Sequence, residues 1–202
     1  MQNEISGFGD NAVATLQANV AIPEGMEQAG HYHVVCRDAN GNLKWEEEFP
    51  NLVVAIGKQL MLDTLLRTSG TYTTVGPFLG LTNATLTPAA TDTMTTLVGG
   101  SKEFTNYTVG GSAVRGTAVF AASTSTGSTP SNVTTSTATA ITYTITGAGG
   151  TVYGCFLVTG SGAVSTQSST AGTLYSEGNF STAKATTAGD TVSVTYQTTA
   201  TS

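Results

Sequence analysis

The sequence predicts an all-β protein, and three features of its composition carry that prediction. Thr occurs 39 times in 202 residues, and this β-branched residue favours strands over helices. Gly occurs 24 times, and together with Ser it is typical of turns and loops. Only 10% of the residues are charged, against about 25% in an average globular protein. A helical bundle or a doubly wound α/β enzyme would have a different composition.

The first element in chain order is an N-terminal arm at residues 1–29, which precedes a single β-sandwich domain at residues 30–202. The arm has no regular hydrophobic period and is interrupted by Gly and Pro. Its apolar side chains are scattered, and we expect them to contact another chain rather than their own core. These predicted interface residues are Ile5, Phe8, Val13, Leu16, Val20 and Ile22.

A β-hairpin is the clearest element of the domain, formed by residues 31–37 and 43–49. The Asn-Gly pair at 40–41 lies between these two segments. Asn and Gly suit the two positive-φ positions of a type I′ turn, which is the strongest short-range signal for a hairpin. The sequence therefore predicts a two-residue loop at this pair.

The register of this hairpin places a mostly apolar face inward. Cys36 is opposite Trp45 and Tyr32 is opposite Phe49, so we expect Cys36 and Trp45 to be buried against each other. The second thiol, Cys155, is far away in the sequence. A disulfide between the two is an alternative, but we expect free, buried cysteines, because free Cys behaves as a small apolar residue.

The opposite face of the hairpin carries His31 and His33 beside Glu46 and Glu48. Two histidines on one strand face could supply half of a metal site, but a zinc centre needs three or four ligands and only these two can be named. We therefore predict that His31 and His33 lie at the surface or at a contact with another chain, without a metal. Glu47 falls on the apolar face, which predicts a bulge or an imperfect register there.

One helix is predicted at residues 55–67, directly after the hairpin. Its large apolar residues cover more than one face, so either a sheet or a neighbouring subunit must cover it. Gly57 inside the helix costs about 1 kcal/mol relative to Ala, which indicates a close backbone approach at that point.

The remainder of the chain has the pattern of strands separated by turns and polar loops. A short strand at 78–81 precedes a helix cap or turn at 92–94, and alternation of apolar residues with Thr then marks strands with one buried face. The later strands are predicted at residues 116–122, 138–146, 151–159, 173–180 and 191–198, with a Ser/Thr loop at 123–139. Eight strands with frequent turn signals predict a β-sandwich, of jelly-roll type in preference to immunoglobulin-like type.

The charge and the missing motifs disfavour several function classes. A formal net charge of −6 with seven Lys and Arg disfavours nucleic-acid binding, and no apolar run is long enough to cross a membrane. The first residues do not have the pattern of a signal peptide. No nucleophile elbow, P-loop, dinucleotide-binding or zinc-protease motif occurs, so we expect a non-enzymatic protein without cofactor or metal.

An alternative function is that of an enzyme, such as a depolymerase or esterase, but the residue types present disfavour it. A catalytic site of that kind needs acids and a His base that converge in a pocket. Residues 104–202, the β-rich half, contain Glu177 and Asp190 as their acids and no His.

A further pattern is a series of short motifs spread from about residue 31 toward the end of the chain. They are His31-Tyr32-His33, Asn42-Leu43-Lys44-Trp45, Asn51-Leu52-Val53, Gly57-Lys58, Leu62-Asp63, Phe78-Leu79-Gly80-Leu81, Asp92-Thr93-Met94, Gly154-Cys155-Phe156-Leu157, Gly172-Thr173-Leu174-Tyr175-Ser176, Phe180 and Gly189-Asp190-Thr191-Val192. Together they resemble a family of small structural proteins of tailed-bacteriophage virions. The chain departs from that family at 97–100, where members usually carry an aromatic-rich stretch.

The resemblance implies a capsid decoration, or cement, protein of jelly-roll type with no catalytic residues. Such a protein binds and stabilises the shell formed by the major capsid protein of the same phage. We expect it to be a homo-oligomer that is assembled in the bacterial cytoplasm and ends on the capsid surface of the virion. The alternative is a tail, neck or head-fibre protein that attaches to glycans of the host surface. That role needs exposed aromatic residues on loops, which the loop at 123–139 does not offer.

Overall fold

The computed structural model describes residues 27–66, 75–122, 131–133 and 140–201, and within these ranges the fold is all-β with two helices, as the sequence predicts. The elements are β1 (Glu27–Arg37), β2 (Leu43–Val53), α1 (Ala55–Leu66), β3 (Phe78–Thr82), α2 (Met94–Leu97), β4 (Glu103–Phe104), β5 (Tyr107–Thr108), β6 (Gly116–Thr117), β7 (Ser131–Val133), β8 (Ile141–Ile145), β9 (Gly150–Thr159), β10 (Thr173–Thr186) and β11 (Thr191–Thr201). Residues 27–29, which the sequence assigns to the arm, therefore belong to β1.

The strands form one antiparallel sheet that nearly closes on itself. Their order is β4-β3-β9-β10-β2-β1-β11-β8-β5, with β6 paired to β3 and β7 paired to β11. The two outermost strands, β4 and β5, are consecutive in the chain and only two residues apart. The rings of Phe104 and Tyr107, one from each of these strands, stack with their centroids 6.3 Å apart. The two edges of the sheet therefore meet beside the core.

Two walls of this sheet face each other across the core, which gives the molecule its sandwich-like arrangement. The hydroxyl of Tyr143 in β8 donates to the carbonyl of Leu79 in β3 at 2.7 Å. The hydroxyl of Tyr32 in β1 is 3.1 Å from that of Ser176 in β10. Each bond joins one wall to the other, and β2 is the corner that belongs to both, because it pairs with β1 and with β10. The buried hydroxyls of Tyr143 and Tyr32 are therefore hydrogen-bonded, as buried polar groups normally are.

A second apolar cluster covers the outer face of the β9–β10 wall. It contains Phe156, Val158 and Leu174 from these strands and Met94 and Leu97 from α2. Thr93 caps the N-terminus of α2: its hydroxyl accepts from the Thr96 amide, while the Thr96 hydroxyl accepts from the Thr93 amide. Strand β9 is thus buried on both faces over much of its length, whereas β8 alternates between buried and exposed residues as predicted.

The predicted hairpin is confirmed in its pairing but not in its turn. Cys36 pairs with Trp45 and Tyr32 with Phe49. The turn is wider than two residues, because the Asp38 carboxylate accepts the amides of residues 40 and 42, each at 2.8 Å. Gly41 has a positive φ of 86°, whereas Asn40 is not in that region, so the type I′ prediction is wrong. The register instead shifts by one residue between 36 and 37.

Glu47 corrects a second expectation about the hairpin. It pairs regularly with Val34, so the predicted bulge is not at this position. Its carboxylate lies 2.6 Å from the ammonium group of Lys184 and also accepts from the Ser181 amide, both in β10. An acid on the inward face is accommodated because the far part of β10 brings a cation to it.

Trp45 is less buried than the sequence predicts. Its ring is half-buried and meets the Phe180 ring edge-on at a centroid distance of 5.5 Å. Cys36 opposite it is fully buried, and both Cys36 and Cys155 are free thiols, as predicted. Burial raises the pKa of the Cys36 thiol to about 11, with a smaller contribution from the nearby Asp190 carboxylate.

Several predicted strands differ from the observed ones in length. The strand predicted at 116–122 contains only the two residues of β6, while the one predicted at 173–180 continues to Thr186. Within the predicted loop at 123–139, residues 131–133 form β7, and the rest of that loop up to residue 139 lies outside the described residues.

Candidate interaction surface

Helix α1 follows β2 directly, and Gly57 determines how closely it docks on the sheet. The amide of Val54 donates to the carbonyl of Tyr175 in β10 at 3.1 Å, which holds the start of α1 against that strand. A Cβ atom on residue 57 would lie 2.5 Å from the same carbonyl oxygen, so only glycine allows this approach. The predicted close approach at Gly57 is confirmed, as is the helix itself.

The apolar side chains of α1 are distributed around the whole helix, whereas the sheet covers only one side of it. Among the helix residues whose side chains are described, Gly57 alone is buried. Ile56, Leu62 and Leu66 are 39%, 46% and 72% exposed. Leu62 and Leu66 are one turn apart and form an apolar ridge on the outer side. Large apolar residues of a helix are normally buried, so α1 lacks a cover at Leu62 and Leu66.

The exposed side of α1 is the strongest candidate for a contact with another molecule. Burying one exposed Leu side chain stabilises a structure by roughly 1.5–3 kcal/mol. Contiguous exposed apolar residues on a folded chain therefore mark interaction sites. The sequence predicts that either a sheet or a neighbouring subunit covers the apolar residues of this helix. The sheet covers the side at Gly57, and the outer side is left for the second cover.

A groove of about 200 Å³ runs between α1 and the start of β10. Both apolar and polar side chains line it. The lining residues are Ile56, Gln59, Leu60, Asp63 and Thr173. A groove of this size and lining can take single apolar side chains from a partner, with polar groups to orient it.

His31 and His33 lie on the face of β1 that points away from the core, as predicted. Both are half-buried and alternate with the buried residues Tyr32 and Val34. Nε2 of His33 is 2.7 Å from a carboxylate oxygen of Glu46 on the neighbouring strand. The predicted interface residues of the arm, from Ile5 to Ile22, lie outside the described residues.

A shallow depression of about 290 Å³ lies beside His33 on the same outer face. Strands β1, β8 and β11 form its floor, and three of its seven lining residues carry a hydroxyl group. The lining residues are His33, Val35, Arg37, Ala140, Thr142, Ser193 and Thr195. This polar face is a second candidate contact surface, distinct in character from α1.

A carboxyl pair, formed by the buried Glu177 and the half-buried Asp92 and missed by the sequence analysis, lies beside α2. Asp92 precedes that helix and Glu177 is in β10, and their side chains are hydrogen-bonded to each other. Burial raises the pKa of Glu177 to about 8, and the hydrogen bond and charge of Asp92 add to the rise. Burial also opposes ionisation of Asp92, but hydrogen bonds from Glu177 and the Ala89 amide outweigh it and lower that pKa. The pair therefore holds one proton near neutral pH, and that proton is on Glu177.

The cavity at this pair has room for little more than one water molecule. Its volume is about 30 Å³. A carboxyl group with a raised pKa is a feature of many catalytic sites, but catalysis also needs space for a substrate. The lining residues are Leu86, Thr87, Asp92, Thr96, Leu97, Lys102 and Glu177. The arrangement stores a proton between α2 and β10 and offers no substrate pocket at this point.

Two further observations concern metals and membranes. Within the described part of the chain, no three side chains of His, Cys, Asp or Glu are grouped so that they could hold a metal ion. Neither helix of the described residues, α1 or α2, is long and apolar enough to cross a membrane.

No protein-family model matches this chain, and no curated protein and no solved structure matches it.

Proposed function

We propose that this protein is a non-enzymatic structural protein of a tailed-phage virion and that it acts as a capsid decoration protein. The observation that carries the proposal is helix α1, whose apolar residues lie on more than one side and which its own sheet covers on one side only. An apolar surface left for other chains favours a subunit of an assembly over a free enzyme. The motif series that resembles virion structural proteins supports the same role.

The proposed partner is the major capsid protein of the same phage, and the proposed action is mechanical. Each copy bridges neighbouring subunits of the shell, so that the contacts resist the outward pressure of packaged DNA. A contact of ordinary size buries about 1,600 Å². Repetition over a closed shell adds avidity to each single contact.

Two surfaces of different character serve this bridging role. The apolar side of α1 suits a permanent contact, since permanent interfaces are the more apolar ones. The outer face of β1, with His31, His33 and Arg37, is polar and suits a contact formed after both partners have folded. We assign the shell contact to this polar face.

Co-sedimentation with empty shells of the major capsid protein tests the proposal. We expect the full chain to pellet with the shells at a fixed ratio. The double variant His31→Ala/His33→Ala should occupy fewer sites with an unchanged fold, because both side chains lie on the outer face. The variant Val119→Lys is the control, since Val119 is 64% exposed and lies in neither surface. Binding to isolated tails instead of shells would favour the tail, neck or head-fibre alternative and contradict the proposal.

A further inference from the structure

The exposed apolar residues on the outer side of α1 require a covering segment. The sequence outside the described residues contains one segment with suitable apolar residues. Besides residues 1–26, four other stretches lie outside the described residues. They are 67–74, 123–130, 134–139 and residue 202. These four consist almost wholly of Thr, Ser, Gly and other small or polar residues, with Tyr72 as their one large apolar side chain. Residues 1–26, in contrast, contain six branched aliphatic or aromatic residues at spaced positions. They are Ile5, Phe8, Val13, Leu16, Val20 and Ile22.

We propose that residues 1–26 of a second copy of this chain cover the exposed side of α1. The apolar residues of this segment in one copy would then contact the exposed side of α1 in another copy. Apolar residues separated by polar ones match a groove that takes single side chains, such as the one between α1 and β10. The inference goes beyond the proposed function, because it concerns self-association and applies to the free protein.

A segment of this length reaches α1 of a neighbouring copy without difficulty. Fully extended, 26 residues span roughly 85 Å, whereas a helix of 12 residues is about 18 Å long. Two α1 helices packed on each other would bury less than a stable dimer needs, because such short helices provide only a few hundred Å² each. An extended segment adds contacts beyond the helix, which favours it over pairing of the two helices.

The place where the segment joins the sheet favours a neighbouring copy over the same chain. The first residues of β1 pair with the end of β11, from Glu27 opposite Thr201. Pairing of β1 with β2 ends at Gly30, opposite Asn51, after which β2 turns to β10, where α1 is docked. The two strands thus diverge, and the segment enters on the β11 side. Because the segment and the helix are different surfaces, the contact is either exchanged reciprocally within a dimer or repeated from copy to copy in a ring or filament.

Cross-linking between differently tagged copies tests this inference. One full-length version carries Leu62→Cys, and a larger-tagged version carries a single Cys in turn at Phe8, Leu16 or Ile22. The native thiols are buried and do not compete. After mixing, a short bismaleimide should give a product that contains one copy of each size. The control replaces Leu62→Cys by Leu43→Cys, which is similarly exposed but lies at the opposite end of β2.

Three outcomes of the cross-linking overturn the inference. One is a mixed product no more abundant than with Leu43→Cys. Another, seen with a chain that carries both substitutions, is a link that forms only within that chain and persists on dilution, which would mean that each chain covers its own helix. A product of two Leu62→Cys chains in place of the mixed one would mean that two α1 helices pair, and it counts against the inference as well.

Sedimentation velocity provides an independent measurement on the same full-length protein. We expect Leu62→Lys/Leu66→Lys to weaken self-association at least ten-fold while the thermal midpoint stays unchanged, because both side chains are exposed. Leu43→Lys should associate like the wild type. Unchanged association of the double variant, or a wild-type chain that stays monomeric at its highest soluble concentration, overturns the inference.

Discussion

Arg115 and Glu103 form a bidentate ion pair that is buried inside the protein. Nε and Nη2 of Arg115 each donate to a different carboxylate oxygen of Glu103, both at 2.8 Å. Arg115 is 1% exposed and Glu103 6%. The guanidinium also donates to the carbonyls of Ser169 and Val164, and the Ser168 amide donates to Glu103. The pair therefore ties the loop before β10 to the closing edge of the sheet.

Removal of the cation from this pair should destabilise the protein strongly. We expect Arg115→Met to lower the free energy of unfolding by about 3–5 kcal/mol, because it leaves a buried carboxylate without its partner. Glu46→Gln is the control, since Glu46 pairs with His33 at the surface and such pairs contribute about 0–1 kcal/mol. Urea unfolding of both variants measures the difference. Equal losses for the two variants would contradict the role assigned to Arg115.

The carboxyl pair predicts a defined pH dependence of stability. The pKa of Glu177 is raised to about 8 in the fold, above its usual value of 4.5. The unfolded chain loses this proton first, so the contribution of Glu177 to stability falls as the pH rises from about 4.5 through 8. Asp92 contributes oppositely, because its lowered pKa favours the fold above its usual pKa and this gain is lost as the pH falls.

A residue at position 177 that is neutral at every pH should remove the loss of folding stability that accompanies rising pH. We expect Glu177→Gln to gain in free energy of unfolding relative to the wild type between pH 5 and pH 8. Urea unfolding at a series of pH values measures this, with Glu48→Gln on the exposed outer face as the matched loss of one carboxyl group. Parallel curves for the wild type and Glu177→Gln would show that residue 177 does not hold the proton.

A substitution at Gly57 tests how α1 is docked. Ala is favoured over Gly within a helix by about 1 kcal/mol. At this position we expect Gly57→Ala to destabilise by about 1–3 kcal/mol instead, because its Cβ would collide with the Tyr175 backbone. Gln59→Ala, on the exposed side of the same helix, should have little effect. Thermal unfolding distinguishes the two, and a stabilised Gly57→Ala would mean that α1 is not held against β10.

The half-buried position of Trp45 sets the expected cost of removing its ring. We expect Trp45→Ala to cost about 2 kcal/mol, less than the roughly 3–5 kcal/mol of a fully buried aromatic residue. Its ring packs on Phe180, and its Nε1 donates to the Ala185 carbonyl at 3.4 Å. The fluorescence maximum of this single Trp should be intermediate between that of buried and free indole. A maximum typical of free indole would place the ring outside the Phe180 contact.

Local patterns of the sequence predict the hairpin register and the helix, and the structure agrees with both. Alternation and helical spacing are properties of neighbouring residues, so Cys36 opposite Trp45 and the close approach at Gly57 follow from them. The turn at 38–42 was predicted wrongly because the Asp38 side chain competes for its amides. Glu47 with Lys184 and Asp92 with Glu177 are pairs between distant segments, and no local pattern indicates which strands become neighbours.

The candidate surface could be predicted only in part for the same reason. The excess of apolar residues in α1 is visible in the sequence, but the side that the sheet leaves exposed depends on the contact with Tyr175. His31 and His33 were placed correctly on the outer face, because strand alternation alone decides that.

The position and copy number of this chain in a reconstruction of the virion test the central claim most directly. We expect copies over the whole outer shell, with the exposed side of α1 covered by another chain in each of them. Copies confined to one vertex or to the tail, or an α1 that faces solvent in every copy, would contradict the proposed role as a capsid decoration protein.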